Sequence, residues 1–477
     1  MTHAQATDRL DPALLRLIGV VLLGGIMGLL DGTMVAVGLD TLGGEFDASL
    51  STIGWVATGY LLAVTVAIPL AAWAVERFGA RRMWLLGLGV FLLGSLASGL
   101  AWDAGSLIAF RVVQGFGAGL VDPIMLTLLA RAAGPARAGR VMGLMGVVLS
   151  LGPVLGPIVG GVLIEHLDWR WMFFINLPIG ALAFALSLRL VPHDPPPAEN
   201  APRPDLAGLA LLAPAFALMV LALSQAAERA EFATWQVLGP LAAGAALLTG
   251  YVRRALRPGD APPPIDLRLF TSRGFTASVT VMALVGIGTF SSLFVLPLHY
   301  QTAHGHGVLE AGLLLAPFGL GSAAAMPLAG RLSDRIGARG LAGAGALLAA
   351  LGALALTRVG PDSHELWPVL GSLVIGIGLG TIGAPTMGSL YRTLPASSVP
   401  QGSSALYMLN QLGASFAVAV VALIMETADD PTAGFRGVYW WVVCALLIVL
   451  AATRLLPGRP LSPEPDPAHP ATRGAAS

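Results

Sequence analysis

The sequence has no lysine: all 27 basic residues among its 477 are arginine. A phosphate loop of the Gly-x-x-x-x-Gly-Lys type is therefore excluded, and with it the usual ATP-driven engine. The exclusive use of arginine reads as genomic base composition, not mechanism. Cysteine occurs once, as Cys444 in an apolar run, so no internal disulfide can form and a buried small hydrophobe is expected there. Charge is scarce too, at 11 % of residues against about 25 % in a soluble domain. Acids and bases balance to a formal net charge of zero, which argues against a nucleic-acid partner. No nucleophile–base constellation stands out, so no enzyme is expected. His299, His304 and His306 cluster in HYQTAHGH without supporting carboxylates or thiolates, so neither a metal site nor a cofactor is expected.

Apolar residues are abundant instead: 55 % of the chain, with 60 glycines and a mean hydropathy of +0.77. This composition predicts an all-α integral membrane protein. Fourteen segments are long enough to span a bilayer core of ~30 Å. Six lie near 15–39, 50–74, 82–102, 105–130, 139–164 and 170–191. The polar, proline-rich run 191–205 reads as an exposed linker, followed by segments near 205–225 and 235–256 and a second proline-rich run, 257–266. Six more lie near 275–298, 309–330, 338–358, 366–390, 402–426 and 437–456. The first apolar run lacks a cleavage-like end and is expected to stay as a transmembrane helix. The expected organisation is a six-helix half (1–191), a linker with two extra transmembrane helices (192–266), a second six-helix half (267–456) and a disordered cytoplasmic tail (457–477). With the N-terminus inside, 22 arginines fall on the cytoplasmic side, four outside, and Arg111 within a helix. Positive residues accumulate inside, so both termini are expected to be cytoplasmic in a multi-pass protein of the cell membrane.

The stretch around which the chain is organised runs from Gly143 to Gly161, GLMGVVLSLGPVLGPIVGG, with no charge between Arg140 and Glu165. Gly152, Gly156 and Gly160 recur every fourth residue and form a groove without side chains, beside which Pro153 and Pro157 interrupt the backbone ladder. The loop after segment two, VERFGARR, repeats after segment ten as SDRIGARG: Glu76 and Asp334, Arg77 and Arg335, Gly79 and Gly337, Arg81 and Arg339 all pair at one offset. Without the two linker-bracketed helices, two parallel six-helix halves remain.

These features together resemble the major facilitator superfamily. Gly143, Gly152, Gly156-Pro157 and Gly160-Gly161 match the spacing of its antiporter motif on helix five. AWAVERFGARR (72–82) resembles its cytoplasmic gating loop, with Ala72, Glu76 and Ala80 where Gly, Asp and Arg are usual; GRLSDRIGARG (330–340) keeps Gly330 and Asp334. RVVQGFGAG (111–119) resembles its fourth-helix motif. LLDGTMVAVGLD (29–40) is similar to the signature of the fourteen-helix drug:proton antiporter branch, with Asp31 and Thr33 matching but Ala36 and Asp40 departing from it. DWRWMFFINLPIG (168–180), IDLRLF (265–270) and LNQLGASF (409–416) are similar to the same branch. The resemblance implies a major facilitator fold with two extra helices, and proton-coupled multidrug efflux by alternating access, driven by the proton gradient. Small-molecule substrate, protons and the lipid bilayer are the implied partners, and the need for a periplasmic adaptor is left open.

Ionisable side chains inside a bilayer cost ~2.5–3.5 kcal/mol on insertion scales, so Asp31, Arg111 and Asp122 are the candidates for proton coupling. Asp31 and Arg111 fall at similar depth and are placed to pair. If Asp31 is the proton site, Asp31→Asn is expected to leave folding intact and abolish coupling; a static salt bridge is the alternative. Asp122, about three turns beyond Arg111, is either a second, inner carboxylate or an acid near the cytoplasmic mouth. Trp55, Tyr60, Gln114, Tyr407, Asn410 and Gln411 are candidates for lining the substrate cavity, while Phe290 and Phe294 read as packing. Glu310 reads as a helix-dipole partner. An exporter dedicated to one metabolite or antibiotic, and a non-transporting receptor or scaffold, are the two alternatives.

Overall fold

A computed structural model describes residues 10–194, 205–257, 261–360 and 363–458, and all regular structure among them is helical. The tail from 459, residues 195–204 of the first proline-rich run and 258–260 of the second lie outside the described residues. Fourteen of the described helices are long and apolar enough to cross a membrane. In chain order they are α1 (Pro12–Val37), α2 (Leu50–Phe78), α3 (Ala80–Gly99), α4 (Ala104–Ala133) and α5 (Ala138–His166), then α6 (Trp171–Leu190, interrupted at Ile175). The pair α7 (Leu206–Arg229) and α8 (Trp235–Ala255) follows. The last six are α9 (Arg273–His304), α10 (Val308–Ile336), α11 (Arg339–Leu356), α12 (Leu366–Thr393), α13 (Val399–Glu426) and α14 (Pro431–Ala452).

The helix ends follow local chemistry. Asp11 caps α1 ahead of Pro12, Asp103 and Ser106 form a reciprocal capping box on α4, and Asp430 caps α14 ahead of Pro431. Gly79 and Gly337 stop α2 and α10 at φ of 95° and 89°, a region that side chains other than glycine avoid, which accounts for glycine in both copies of the repeated loop. Neither Pro153 nor Pro157 ends α5, which runs unbroken from Ala138 to His166.

Helices α1–α6 form one half and α9–α14 the other. The halves meet along two seams, α5 against α10 and α12, and α2 and α4 against α13. The extra pair lies outside this bundle: α7 packs on both α2 and α13, and α8 packs on α7. Inside each half, small residues let helices close up; Gly117 on α4, for example, faces the backbone of Phe91 on α3. Trp84 on α3, fully buried, donates to Ser187 Oγ on α6 at 2.9 Å.

Two expectations need correction. The first proline-rich run is exposed only in part: Pro192 and His193 are exposed, but Val191 is buried, and Asp194 accepts from the backbone N–H groups of Arg81 and Arg82 at 3.0 and 3.1 Å, capping α3. At the far end Asp205 is buried and pairs with Arg254 Nη2 at 2.7 Å, tying the start of α7 to the end of α8. Cys444 is exposed on α14 rather than buried, because it sits on the outward face of an apolar helix.

Candidate transport site

Three polar side chains from two helices, α4 and α6, converge on Asp31 of α1 in the first half. Arg111 Nη1 donates to Asp31 Oδ2, while Gln114 Nε2 and Asn176 Nδ2 donate to Oδ1 at 2.8 and 3.0 Å. Arg111 also donates to Gln114 Oε1 (2.8 Å) and to the Val56 carbonyl (3.2 Å), and its guanidinium lies 3.9 Å from the centroid of the Tyr60 ring. Ser95 Oγ accepts from both amides and donates to the Phe173 carbonyl at 2.9 Å. Asp31 and Arg111 are 0 % and 1 % exposed. A charge pair buried this deeply survives because each partner is neutralised and Asp31 Oδ1, Arg111 Nε and Arg111 Nη1 have further hydrogen-bond partners.

Asp122, three turns further along α4, has the opposite surroundings. It lines a cavity of about 190 Å³ between the halves, and its Oδ1 is buried without a hydrogen-bond partner among the described residues. Tyr407, whose hydroxyl is likewise buried and unpartnered, Asn410 and Gln411 line the same cavity from α13. Asn410 is steadied by donating to the Met282 carbonyl at 3.2 Å. Phe290, expected only to pack, is also part of the wall, whereas Phe294 is exposed. Met282, Met326 and Met387 complete a flexible apolar surface in which Asp122 carries the only formal charge among the lining residues. Of the other expected lining residues, Tyr60 and Gln114 belong to the Asp31 network, and Trp55 is 43 % exposed at the start of α2; none of the three lines the cavity.

The glycine groove of α5 receives helix α1. A side-chain carbon at Gly152 would come within 2.8 Å of Leu29 Cβ, one at Gly160 within 2.8 Å of Met34 Cγ, and one at Gly156 would overlap Thr33. Gly143 serves the other half, facing the Met326 carbonyl and Pro327 on α10, while Gly161 has open space around it. Pro157 lies near Gly312 of α10.

The repeated loops differ in what they hold. Asp334 accepts from the N–H groups of Gly139 and Arg140 (2.9 and 3.0 Å), at the second and third positions of α5, and from Arg392 Nη1 at 2.8 Å. Gly388 sits against Gly139 so closely that a Cβ there would lie 2.6 Å from the Gly139 Cα. Glu76, the counterpart of Asp334, accepts a single side-chain bond, from Gln401 Nε2 at 3.0 Å, and is exposed. Gln401 Oε1 in turn accepts from the Asp266 N–H at 2.9 Å. Arg81 reaches the Leu188 carbonyl, Arg339 the Leu456 carbonyl (2.8 Å), and Arg77 and Arg335 lie on the exposed side of their helix ends.

At the opposite end, His306 lies between Glu365 Oε1 (2.8 Å) and Glu310 Oε2 (3.0 Å). Contrary to the expectation of no supporting carboxylate, one comes from Glu310 at the start of α10, four residues on, and one from Glu365 just before α12. Glu365 first, and Glu310 second, hold the His306 ring above its ordinary pKa. No metal-ligating cluster occurs among the described residues.

The sequence pattern of the Major Facilitator Superfamily matches residues 21–418, and again 279–477. The chain belongs to the major facilitator superfamily. It is 37 % identical over 421 residues to the multidrug resistance protein B homolog of Mycobacterium tuberculosis (strain ATCC 25618 / H37Rv), covering 88 % of this facilitator and 77 % of that relative. It is 30 % identical over 412 residues to the tetracenomycin C resistance and export protein of Streptomyces glaucescens, covering 85 % and 75 %. In fold it resembles the crystal structure of the human organic anion transporter MFSD10 (TETRAN), with a TM-score of 0.65 at 17 % identity over 93 % of this chain and 100 % of that one. The facilitator is thus a multi-pass membrane transporter and not an enzyme.

Two members of the Asp31 network, Ser95 and Asn176, were not singled out in the sequence. Asn176 stood inside the NLPIG run quoted for segment six, and a lone amide within an apolar span is the signal that finds it. Ser95 gives no comparable signal, because serine tolerates helix packing anywhere.

Proposed function

We propose that this facilitator is a proton-coupled exporter of small amphipathic or cationic compounds, working by alternating access in the cell membrane with both termini cytoplasmic. The observation that carries the reading is Asp122, an unpartnered carboxylate on the wall of the central cavity. A carboxylate without a fixed partner can take a proton or face a cationic substrate, but the two compete for one charge. Binding of a proton from outside then releases the substrate, and its loss inside readmits the next. Asp31 is already satisfied by three donors and is assigned the role of holding α1, α4 and α6 together rather than carrying the proton. The halves 1–191 and 267–456 rock about the cavity, with 192–266 beside them. At about 190 Å³ the cavity is below the ~300–1,000 Å³ usual for drug-sized ligands, so loading requires the halves or the methionine side chains to move. The names of the two relatives support efflux of toxic compounds. A second reading, export of one antibiotic alone, is favoured by the tetracenomycin relative.

The test uses purified protein in liposomes under an imposed pH gradient, following a fluorescent lipophilic cation and lumenal pH together. Asp122→Asn is expected to abolish linked flux while the protein stays folded. Asp31→Asn is expected to lower thermal stability markedly, because Arg111 is left buried beside a neutral group; breaking a buried pair costs ~3–5 kcal/mol. Linked flux retained in Asp122→Asn would sink the assignment. Tight binding of a single compound with no flux of any other would favour the dedicated exporter.

A further inference from the structure

Two successive turns of α13 hydrogen-bond to the first half. Gln401 donates to Glu76 on α2 at 3.0 Å, and three residues on Ser404 donates to the Ile68 carbonyl, also on α2, at 3.0 Å. Three residues further comes Tyr407, where α13 passes from the seam to the wall of the central cavity. Side chains three apart are neighbours on a helix surface, so Tyr407 follows as a third rung on a ladder whose first two are made. Its hydroxyl is buried without a hydrogen-bond partner among the described residues, and so is Oδ1 of Asp122, which faces the same cavity from α4. The carboxylate is near enough for its charge to act on that hydroxyl.

The other titratable groups around the two are engaged elsewhere. Asp31 and Arg111 pair with each other, Tyr60 donates to the Gly28 carbonyl at 3.3 Å, and Tyr391 of α12 shares a bond with Ser403 at 3.0 Å. We infer that Tyr407 couples the charge of Asp122 to the seam: its hydroxyl donates to the carboxylate when the cavity is empty and Asp122 is charged, and lets go when a proton or a cationic substrate takes that charge. A hydrogen bond to an ion is roughly twice as strong as one between neutral groups, so the rung responds to charge. The empty, charged carrier is the state that must not change its facing, because its return would let substrate or protons pass unpaired. The third rung holds α4 to α13 in that state alone. The inference rests on the reading of Asp122 as the carboxylate shared by proton and substrate.

The first test reads the seam and needs no transport. Spin labels are placed on α4 and α13 at the arginine-rich end of the full chain in lipid nanodiscs, and their distance is measured in alkaline buffer without substrate. Wild type should hold the short distance and move to a longer one on acidification or on adding ethidium. Tyr407→Phe keeps the ring and loses the hydroxyl; it should populate the longer distance about tenfold more than wild type in alkaline buffer and change little on acidification. Asp122→Asn should match it, and the double variant should go no further than either, since both remove one bond. A wild-type response in Tyr407→Phe, or effects of the two variants that add, would overturn the rung.

The second test reads coupling in liposomes. Tyr407→Phe retains Asp122 and should still carry ethidium, but about tenfold more of it should leak down its own gradient without proton movement. Linked flux as tight as in wild type would overturn the inference and leave the reading of Asp122 standing. Linked flux surviving in Asp122→Asn would instead sink that reading, and the rung with it.

Discussion

The two ends of this transporter use their polar residues in opposite ways. At the arginine-rich end the bonds cross between the halves: Asp334 to the start of α5, Glu76 to Gln401, and Ser404 Oγ to the Ile68 carbonyl at 3.0 Å. At the other end, the ion pairs among the described residues stay within a half. Arg170 faces Glu45 and Asp168, at 3.6 and 3.4 Å, and His306 faces Glu310 and Glu365. One end is therefore fastened across the seam, while the other stiffens each half separately and leaves the seam there to apolar contact. The fastened end is itself uneven. Asp334 and Arg392 are 8 % and 10 % exposed, and the carboxylate meets two backbone donors at a helix N-terminus, where the dipole favours an anion. Its counterpart Glu76 faces α13, whose second position is Pro400, a residue with no N–H to give. The repeat is symmetric in sequence and lopsided in strength.

The largest test of this contrast is Asp334→Ala. It leaves Arg392 and two backbone N–H groups without their acceptor, a change of the ~3–5 kcal/mol class for a broken buried pair. Distances between spin labels placed across the α5–α10 seam should lengthen at the arginine-rich end and remain unchanged at the other. Unchanged distances at both ends would mean that the contact does not fasten the halves. A smaller effect is expected from Glu76→Gln, which keeps the side chain's shape and weakens one exposed hydrogen bond worth ~0.5–1.5 kcal/mol. The same labels across α2 and α13 should move little, and a shift as large as that of Asp334→Ala would erase the asymmetry.

The smallest concerns the opposite end. The pKa of His306 is raised in the folded protein by Glu365 and Glu310, so its contribution is fully present below the ordinary histidine value and lost as pH rises through the raised one. The thermal stability of His306→Gln should fall below wild type at pH 5.5, with the gap closing by pH 8.5 and no change in spacing between the halves. A gap that grows with pH would reverse the sign and remove the staple.

Much of this architecture was legible beforehand because it repeats or is long. Fourteen apolar runs, two copies of one loop and a four-residue glycine period each leave several residues of signal. Pairing was partly legible: Asp31 and Arg111 were matched by depth alone. The sequence left open which of two buried acids is already satisfied, because that depends on Ser95 and Asn176 arriving from α3 and α6. It also did not reveal that α1 fills the glycine groove, since spacing identifies a groove and not its occupant. His306 found its second carboxylate 59 residues away, beyond the reach of any local pattern.

The extra helix pair is tied to the contact between the halves. Tyr251 near the end of α8 clasps the backbone of Ile265, accepting from its N–H at 3.0 Å and donating to its carbonyl at 2.6 Å, and the next N–H, of Asp266, is fastened to Gln401. Gln401 is also the group that grips Glu76. Through this one side chain of α13 the extra pair is tied to the place where α2 of the first half meets the second half. Trp235 and Leu238 face outward on α8. The helices that the two six-helix halves could do without are thereby fastened to the contact that joins them.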